Sequence, residues 1–201
     1  MTTKNRLATG LLTCGALAAG LTTATLVSTA AAPTDGGAPA APSAVPSVAL
    51  HLTPSSTQLA GCMPKAKVNI KVELKTDRVG FDDFEVTASG LPPETDFTVF
   101  LLQQADSPFG AAEYIGDITT NKKGDARNEF KLIVQEAFSS SVLNGQRVRT
   151  DLNQVGMWFA DPAGDDFCLG NGNGGITPFD GDNEAGVQAF NSLHTNPLPA
   201  P

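Results

Sequence analysis

Hydrophobic and polar residues alternate along several short stretches of this chain, which is the pattern of β-strands. In residues 67–75, valine, isoleucine and leucine occupy every second position, and lysine, asparagine and glutamate lie between them. Such alternation predicts a strand with one face in a core and the other in water. This stretch is the clearest amphipathic strand in the sequence.

A second pair of strands is predicted on either side of a corner. Residues 84–88 are predicted to form one strand, Gly90 and two prolines follow it, and an apolar run then covers residues 97–103. Glycine and proline end strands, so this pattern predicts strand, corner and strand. Residues 97–102 are apolar at nearly every position, which predicts a central strand that is buried on both faces.

The remaining strands are predicted by shorter patterns. They cover residues 114–120, 126–134, 154–160 and 186–191, and a turn containing Gly124 joins the first two. For the last stretch, a short helix from Asp182 is the alternative. Residues 136–144 fit either a helical turn or a sheet crossover. About seven strands and few helical signals predict one all-β domain, an antiparallel β-sandwich.

The segment Leu91-x-Pro93-x-Thr95-x-Phe97 resembles the corner motif of fibronectin type III and related immunoglobulin-like domains. The resemblance implies an immunoglobulin-like sandwich. Those domains usually carry tyrosine where this chain has Phe97, so the hydrogen bond of the tyrosine hydroxyl is missing here. The Gly-Leu-Pro-Pro and Phe-Ala-Asp-Pro segments also resemble secreted bacterial proteins of unknown function, which implies no activity.

Residues 1–32 are predicted to be a secretion signal. Lys4 and Arg6 precede a long run of apolar and small residues, and small-x-Ala cleavage sites follow it. A transmembrane anchor is the alternative, but the run is rich in Ala, Thr and Gly and no basic residues follow it. The expected location of the mature protein is therefore extracellular.

Composition divides the rest of the chain into three parts. Residues 33–58 are predicted to be a low-complexity linker of Ala, Pro and Ser, in which residues 48–52 are a candidate edge strand. The β-sandwich domain is expected over residues 59–196, and residues 197–201 are expected to be a proline-rich tail.

Charge limits the classes of partner. The chain has 13 basic and 21 acidic residues, and loss of Lys4 and Arg6 with the signal leaves a net charge of −10. An acidic protein repels nucleic acid and anionic membrane surfaces, so neither is expected as a partner after signal cleavage. The expected partner is an extracellular protein or a cell-wall component.

The cysteines predict one disulfide bond. Removal of the signal takes Cys14 away and leaves Cys62 and Cys168 in an oxidising compartment, where pairing is the rule. The bond would close a loop of about 100 residues, which stabilises the fold by roughly 4–5 kcal/mol on the chain-entropy estimate.

The late loops hold the candidate metal ligands, and calcium is the one candidate cofactor because it prefers six to eight oxygen ligands. The acids concerned are Asp161, Asp165, Asp166, Asp180, Asp182 and Glu184. The last three acids occupy every second position, as the first ligands of an EF-hand loop do, but the glycine and the final acid of such a loop are missing. The favoured interpretation is a solvated loop in which aspartate and asparagine support turns.

Catalytic motifs are sparse, so the chain is not expected to be an enzyme. His51 and His194 lie in the predicted linker and near the C-terminal end, and no Gly-x-Ser-x-Gly motif is present. Trp158 lies in an apolar strand and is predicted to be a core residue. The expectation is a secreted, non-catalytic interaction or structural module. A calcium-stabilised module and a small hydrolase with paired carboxylates are the alternatives.

Overall fold

The computed structural model describes residues 45–177, 184–194 and 198. The predicted signal and the first part of the predicted linker lie outside these residues. The described chain contains ten strands. They are β1 (Ser47–Pro54), β2 (Lys67–Glu73), β3 (Asp82–Ser89), β4 (Asp96–Leu102), β5 (Ala112–Thr119), β6 (Ala126–Leu132), β7 (Phe138–Leu143), β8 (Gln146–Asp151), β9 (Gln154–Phe159) and β10 (Gln188–Asn191).

The helical segments are short. They are α1 (Thr57–Cys62), α2 (Thr76–Val79), the 3₁₀ turn Pro162–Asp165 and α3 (Asp166–Leu169). Ser56 caps α1, because its hydroxyl oxygen accepts the backbone N–H of Leu59 at 3.2 Å. None of the described helices is both long enough and apolar enough to cross a membrane.

Eight strands form a single sheet in the order β5-β4-β9-β10-β1-β2-β3-β6, and every pairing in it is antiparallel. The two edge strands, β5 and β6, are consecutive in the chain and approach each other, so the sheet nearly closes. The prediction of an antiparallel all-β fold is confirmed.

Strand β1 joins the two halves of this sheet. Its first six residues pair with β2, with Leu50 opposite Ile70, and its last two residues, Thr53 and Pro54, pair with β10. Leu50 and Leu52 are buried. The strand lies inside residues 33–58, which the composition assigns to a linker, so the folded domain begins before residue 59. The alternation there is only five residues long, and one of the two partners, β10, is distant in sequence.

The core fills the space between the two halves of the sheet. One half contributes alternate residues of β1, β2 and β3, and the other contributes residues of β4, β9 and β10. The buried side chains include Leu50, Leu52, Val68, Ile70, Val72, Phe84 and Val86 from the first half and Phe97, Val99, Leu101, Val155, Met157, Phe159 and Ala189 from the second. The alternation predicted for residues 67–75 therefore places its apolar face in the core.

The structure bears on three local predictions, for residues 186–191, residues 136–144 and the C-terminal tail. Residues 188–191 form a strand, so the strand interpretation is confirmed and the short helix is wrong. Residues 138–143 form β7, which is neither a helical turn nor a crossover of the main sheet. Leu198, assigned to the tail, is buried and donates its N–H to the carbonyl oxygen of Asn153 at 2.7 Å.

Asp82 at the start of β3 holds two distant segments together. This buried carboxylate accepts the backbone N–H groups of Lys75, Thr76 and Val134 at 2.7, 2.9 and 2.9 Å. Burial alone raises the pKa of Asp82, but the hydrogen bonds, led by that from Val134, outweigh burial and hold the pKa below its ordinary value. The ionised side chain thus ties the α2 turn to the chain that follows β6.

Side chains close the seam between β5 and β6. Asn128 donates its side-chain N–H to the carbonyl oxygen of Asp117 at 3.0 Å. The ring of Phe130 lies over Gly116, where an added Cβ would be 2.5 Å from a ring carbon. A glycine in β5 is therefore required for the ring to cover the seam.

We expect Gly116→Ala to lower the free energy of unfolding by about 1–3 kcal/mol, because the new methyl group displaces the ring of Phe130. Urea unfolding followed by circular dichroism measures the change. Gly61→Ala is the matched control, since its added Cβ meets no atom within 4 Å. Unchanged stability of Gly116→Ala would contradict closure at this seam.

Candidate functional site

The predicted disulfide is present and fixes the late loops against α1. Cys62 ends α1 and Cys168 lies in α3, and their Cα atoms are 5.7 Å apart across a sequence separation of 106 residues. Gln58 adds a hydrogen bond from its side-chain N–H to the carbonyl oxygen of Cys168, at 3.3 Å. The segment after β9 is therefore anchored near the start of the domain.

Two of the predicted calcium ligands support turns in this segment. The carboxylate of Asp161 accepts the N–H of Ala163 at 2.8 Å, and that of Asp166 accepts the N–H of Gly172 at 2.9 Å. Glu184 is exposed. These contacts match the interpretation of aspartate as a turn-forming residue.

Asp165 has a different environment, because its side chain is buried and only one of its carboxylate oxygens has a hydrogen-bond partner among the described residues. Its Oδ2 atom accepts a long hydrogen bond of 3.3 Å from the N–H of Val187, and Oδ1 accepts none from the part of the chain that the structure describes. Burial, and to a smaller extent the neighbouring Asp166, raises the pKa of Asp165. A buried, unpaired carboxylate oxygen costs free energy unless a proton or a cation pairs with it.

The full set of six calcium candidates is not brought together in the described part of the chain. Asp180 and Asp182 lie outside the described residues. Within the residues that are described, no three side chains of His, Cys, Asp or Glu meet in a group that could hold a metal ion. Calcium binding through all six acids therefore stays a prediction.

A two-stranded ribbon, β7–β8, stands apart from the main sheet. Its strands pair with each other and with no other strand in the described ranges. Asn144 and Gly145 form its turn with φ values of 51° and 78°, as a type I′ turn requires. The ribbon exposes four large apolar side chains. They are Phe138, Val142, Leu143 and Val148.

Two arginines share one face of this ribbon. Arg147 and Arg149 are two residues apart on β8, so their side chains project from the same face. The guanidinium of Arg149 lies 4.3 Å from the ring centroid of Phe138 and donates to Asp151 at 2.7 Å. Arg147 donates to the hydroxyl of Ser140 at 3.0 Å. These contacts hold both cations over an exposed apolar surface.

A small cavity lies on the outer face of the sheet, over β4 and β9. Its volume is about 200 Å³. Trp158 is buried in its wall, as predicted, and its ring centroid lies 5.2 Å from that of Phe100 and 5.0 Å from that of Phe109. The main lining residues are Phe100, Leu102, Phe109, Ala112, Trp158 and Thr177.

The depression of about 540 Å³ is a separate feature and lies beside the disulfide. Cys62, Leu91, Pro93 and Phe167 are among the residues that line it, and it is wide and open. The cavity of about 200 Å³ over β4 and β9 is smaller but more apolar, because three aromatic rings form its wall. The aromatic cavity is therefore the better-formed binding site of the two.

Sequence reasoning missed both the ribbon and the aromatic cavity. The ribbon had a signal, because Asn144-Gly145 is the dipeptide that favours a two-residue hairpin turn. The cavity had none, since it depends on how the loop carrying Phe109 lies over the sheet. Loop positions of this kind are set by tertiary contacts that a local pattern does not contain.

In comparisons with known proteins, no family model matches the chain and no curated protein matches it significantly.

We expect Asp165→Asn to raise the midpoint of thermal unfolding in EDTA at pH 7 by about 2–4 °C, equivalent to about 1 kcal/mol, because it removes a buried charge and keeps the side-chain shape. The folded pKa of Asp165 lies above its unfolded value. The wild-type protein therefore gains stability as the pH falls through the folded pKa of Asp165. The difference in unfolding midpoint between Asp165→Asn and the wild type should shrink until the pH reaches the unfolded pKa of aspartate, about 4.

The matched control is Asp125→Asn, which removes the same charge from an exposed position. Its effect on the unfolding midpoint at pH 7 should be close to zero. An equal rise of the unfolding midpoint in both variants would show that net charge causes the effect. A lower midpoint in Asp165→Asn would contradict the claim that the buried carboxylate destabilises the fold.

Proposed function

We propose that this protein is a secreted, non-catalytic module with an immunoglobulin-like β-sandwich architecture, and that it binds an extracellular protein through the β7–β8 ribbon. The observation that carries the proposal is the ribbon itself, which lies outside the main sheet and exposes apolar side chains beside two arginines. The predicted signal over residues 1–32 and the disulfide support an extracellular location.

The exposed apolar surface supports a binding role for the ribbon. An isolated two-stranded hairpin is at best marginally stable in water, and this one does not contribute its large side chains to the core. Val142 and Leu143 are 61% and 58% exposed at its tip, and Phe138 is 47% exposed near its base. Phe138 and Val142 lie on the face that carries the arginines, and Leu143 and Val148 lie on the opposite face. Apolar side chains exposed together on one face, as Phe138 and Val142 are, mark an interaction surface.

The charges of the ribbon indicate the chemistry of the partner. Arg147 and Arg149 project from one face about 7 Å apart, the spacing of alternate residues in a strand. Arginine binds carboxylates through paired N–H groups and is enriched at protein interfaces. A protein surface with an acidic patch beside apolar residues fits this face. A polyanion such as nucleic acid would meet repulsion from a protein whose net charge is −10 after loss of Lys4 and Arg6 with the signal.

The test is capture of proteins from the medium and envelope of the producing organism, followed by affinity measurement with the purified partner. We expect Arg147→Ser/Arg149→Ser to weaken binding about 10- to 100-fold, because arginine is enriched among the interface residues whose truncation costs more than about 1 kcal/mol. The control is Lys122→Ser/Lys123→Ser, which removes the same charge from another exposed turn and should bind as the wild type does.

Two outcomes would overturn this proposal. Equal loss of affinity in the ribbon and control variants would show that net charge, and not the ribbon, controls binding. Capture of a wall polymer and of no protein would replace the protein partner with a cell-wall ligand. Circular dichroism of each variant shows whether the fold is retained.

Calcium stabilisation is the second candidate function, and the unpaired Oδ1 of Asp165 is the observation that favours it. The oxygen is buried, and a bound cation would offset the free-energy cost of burying a carboxylate oxygen that has no hydrogen-bond partner among the described residues. The backbone also approaches this carboxylate closely, since a Cβ on Gly174 would lie 2.3 Å from both carboxylate oxygens. Hard oxygen ligands of this type suit calcium.

Thermal unfolding in EDTA and in millimolar calcium tests this candidate. At 100 times the dissociation constant, calcium should stabilise the fold by about 2.7 kcal/mol, a rise of roughly 5–10 °C. The rise should disappear in Asp180→Ala/Asp182→Ala and in Asp165→Asn. Asp125→Asn should keep it. No calcium-dependent shift in the wild type would contradict calcium binding.

A further inference from the structure

We propose that the aromatic cavity over β4 and β9 binds a small, uncharged aromatic molecule. This site is distinct from the β7–β8 ribbon and does not depend on the partner proposed for it. Its wall comes from the outer face of the sheet and from the loop that carries Phe109.

The size of the cavity limits the ligand to about one ring. Its volume is about 200 Å³. An apolar cavity of about 150 Å³ in another protein is known to stay dry and to bind benzene. A single six-membered ring with one or two small substituents therefore fits, whereas drug-sized ligands need pockets of roughly 300 Å³ or more.

The charge of the lining favours a neutral ligand. None of the described residues that line the cavity has an ionisable side chain. The hydroxyl of Thr177 already donates to the carbonyl oxygen of Gly186, at 2.9 Å. A charged ligand would lose its hydration without gaining an ion pair, so the cavity selects against it.

The arrangement of the rings favours an aromatic ligand. The ring of Trp158 makes interplanar angles of 77° with Phe100 and 75° with Phe109. Edge-to-face contacts of this kind are worth about 0.5–1.5 kcal/mol beyond the area that they bury. A guest ring can make the same contacts with the rings that line the cavity.

The cavity wall is held in place before any ligand binds. The loop that carries Phe109 is fixed by backbone hydrogen bonds from Gln103 to Ala111 at 2.9 Å and from Gln104 to Phe109 at 3.0 Å. The side chain of Gln188 donates to the carbonyl oxygen of Ala105 in the same loop, at 3.0 Å. A preformed wall lowers the entropy cost of binding.

The test uses toluene and benzoate as probes of the full-length protein. Trp158 is the only tryptophan in the chain, so its fluorescence reports on this cavity alone. Toluene should produce a saturable change in Trp158 emission and a rise in the thermal unfolding midpoint. Benzoate, which has the same ring and a charge, should produce neither.

A filled-cavity variant provides the specificity control. Ala112→Leu adds apolar volume at the exposed rim of the cavity, where it narrows the opening, and should weaken toluene binding at least tenfold while the protein stays folded. Ala60→Leu adds the same volume at an exposed position away from the cavity and should leave binding unchanged. Arg147→Ser/Arg149→Ser should also bind toluene normally, which separates this site from the ribbon.

Three results would overturn the proposal. They are the absence of a saturable response to toluene up to its solubility limit, an undiminished response in Ala112→Leu, and equal responses to toluene and benzoate. If Ala112→Leu fails to fold, Phe109→Ala replaces it, because loss of one ring of the wall should weaken binding of toluene with the sheet left intact.

Discussion

The double pairing of β1 is the constraint on which the rest of the structure depends. Its first six residues continue the half of the sheet that contains β2, and its last two residues pair with β10 in the other half. Leu50 and Leu52 enter the core along this strand. Without β1, the two halves would share neither a strand nor the side chains that fill the space beside it, and the nearly closed sheet would open.

The two candidate binding features differ in how they are attached to the nearly closed sheet. The aromatic cavity rests on β4 and β9, which lie inside the sheet, so its floor is rigid. Among the described residues, the strands of the ribbon pair with no other strand, and at its base Ala137 and Leu152 are buried and joined by a backbone hydrogen bond of 3.0 Å. A rigid cavity suits a small ligand, and a protruding ribbon can adjust to the surface of a larger partner.

The sequence predicted those elements whose burial shows in a local pattern. Strand β2 alternates strictly, and β4 is apolar on both faces because Phe97 faces the core while Phe100 faces the aromatic cavity. It missed the central role of β1, since a five-residue alternation does not reveal that the end of the strand pairs with β10, which is more than 130 residues away. The sequence placed Asp165 among six candidate acids. It could not show that this side chain is buried with one oxygen unpaired among the described residues, because the position of the loop depends on tertiary contacts.

Amide hydrogen exchange, followed by mass spectrometry of the full-length protein, tests the central role of β1 most directly. The account predicts that peptides covering β1 exchange as slowly as those covering β2 and β3, because opening β1 requires opening the sheet. Peptides covering the β7–β8 ribbon should exchange much faster, as an isolated hairpin does. Fast exchange in β1 beside protected β2 and β3 would contradict the account, because β1 would then be an accessory strand at the margin of a sheet that is stable without it.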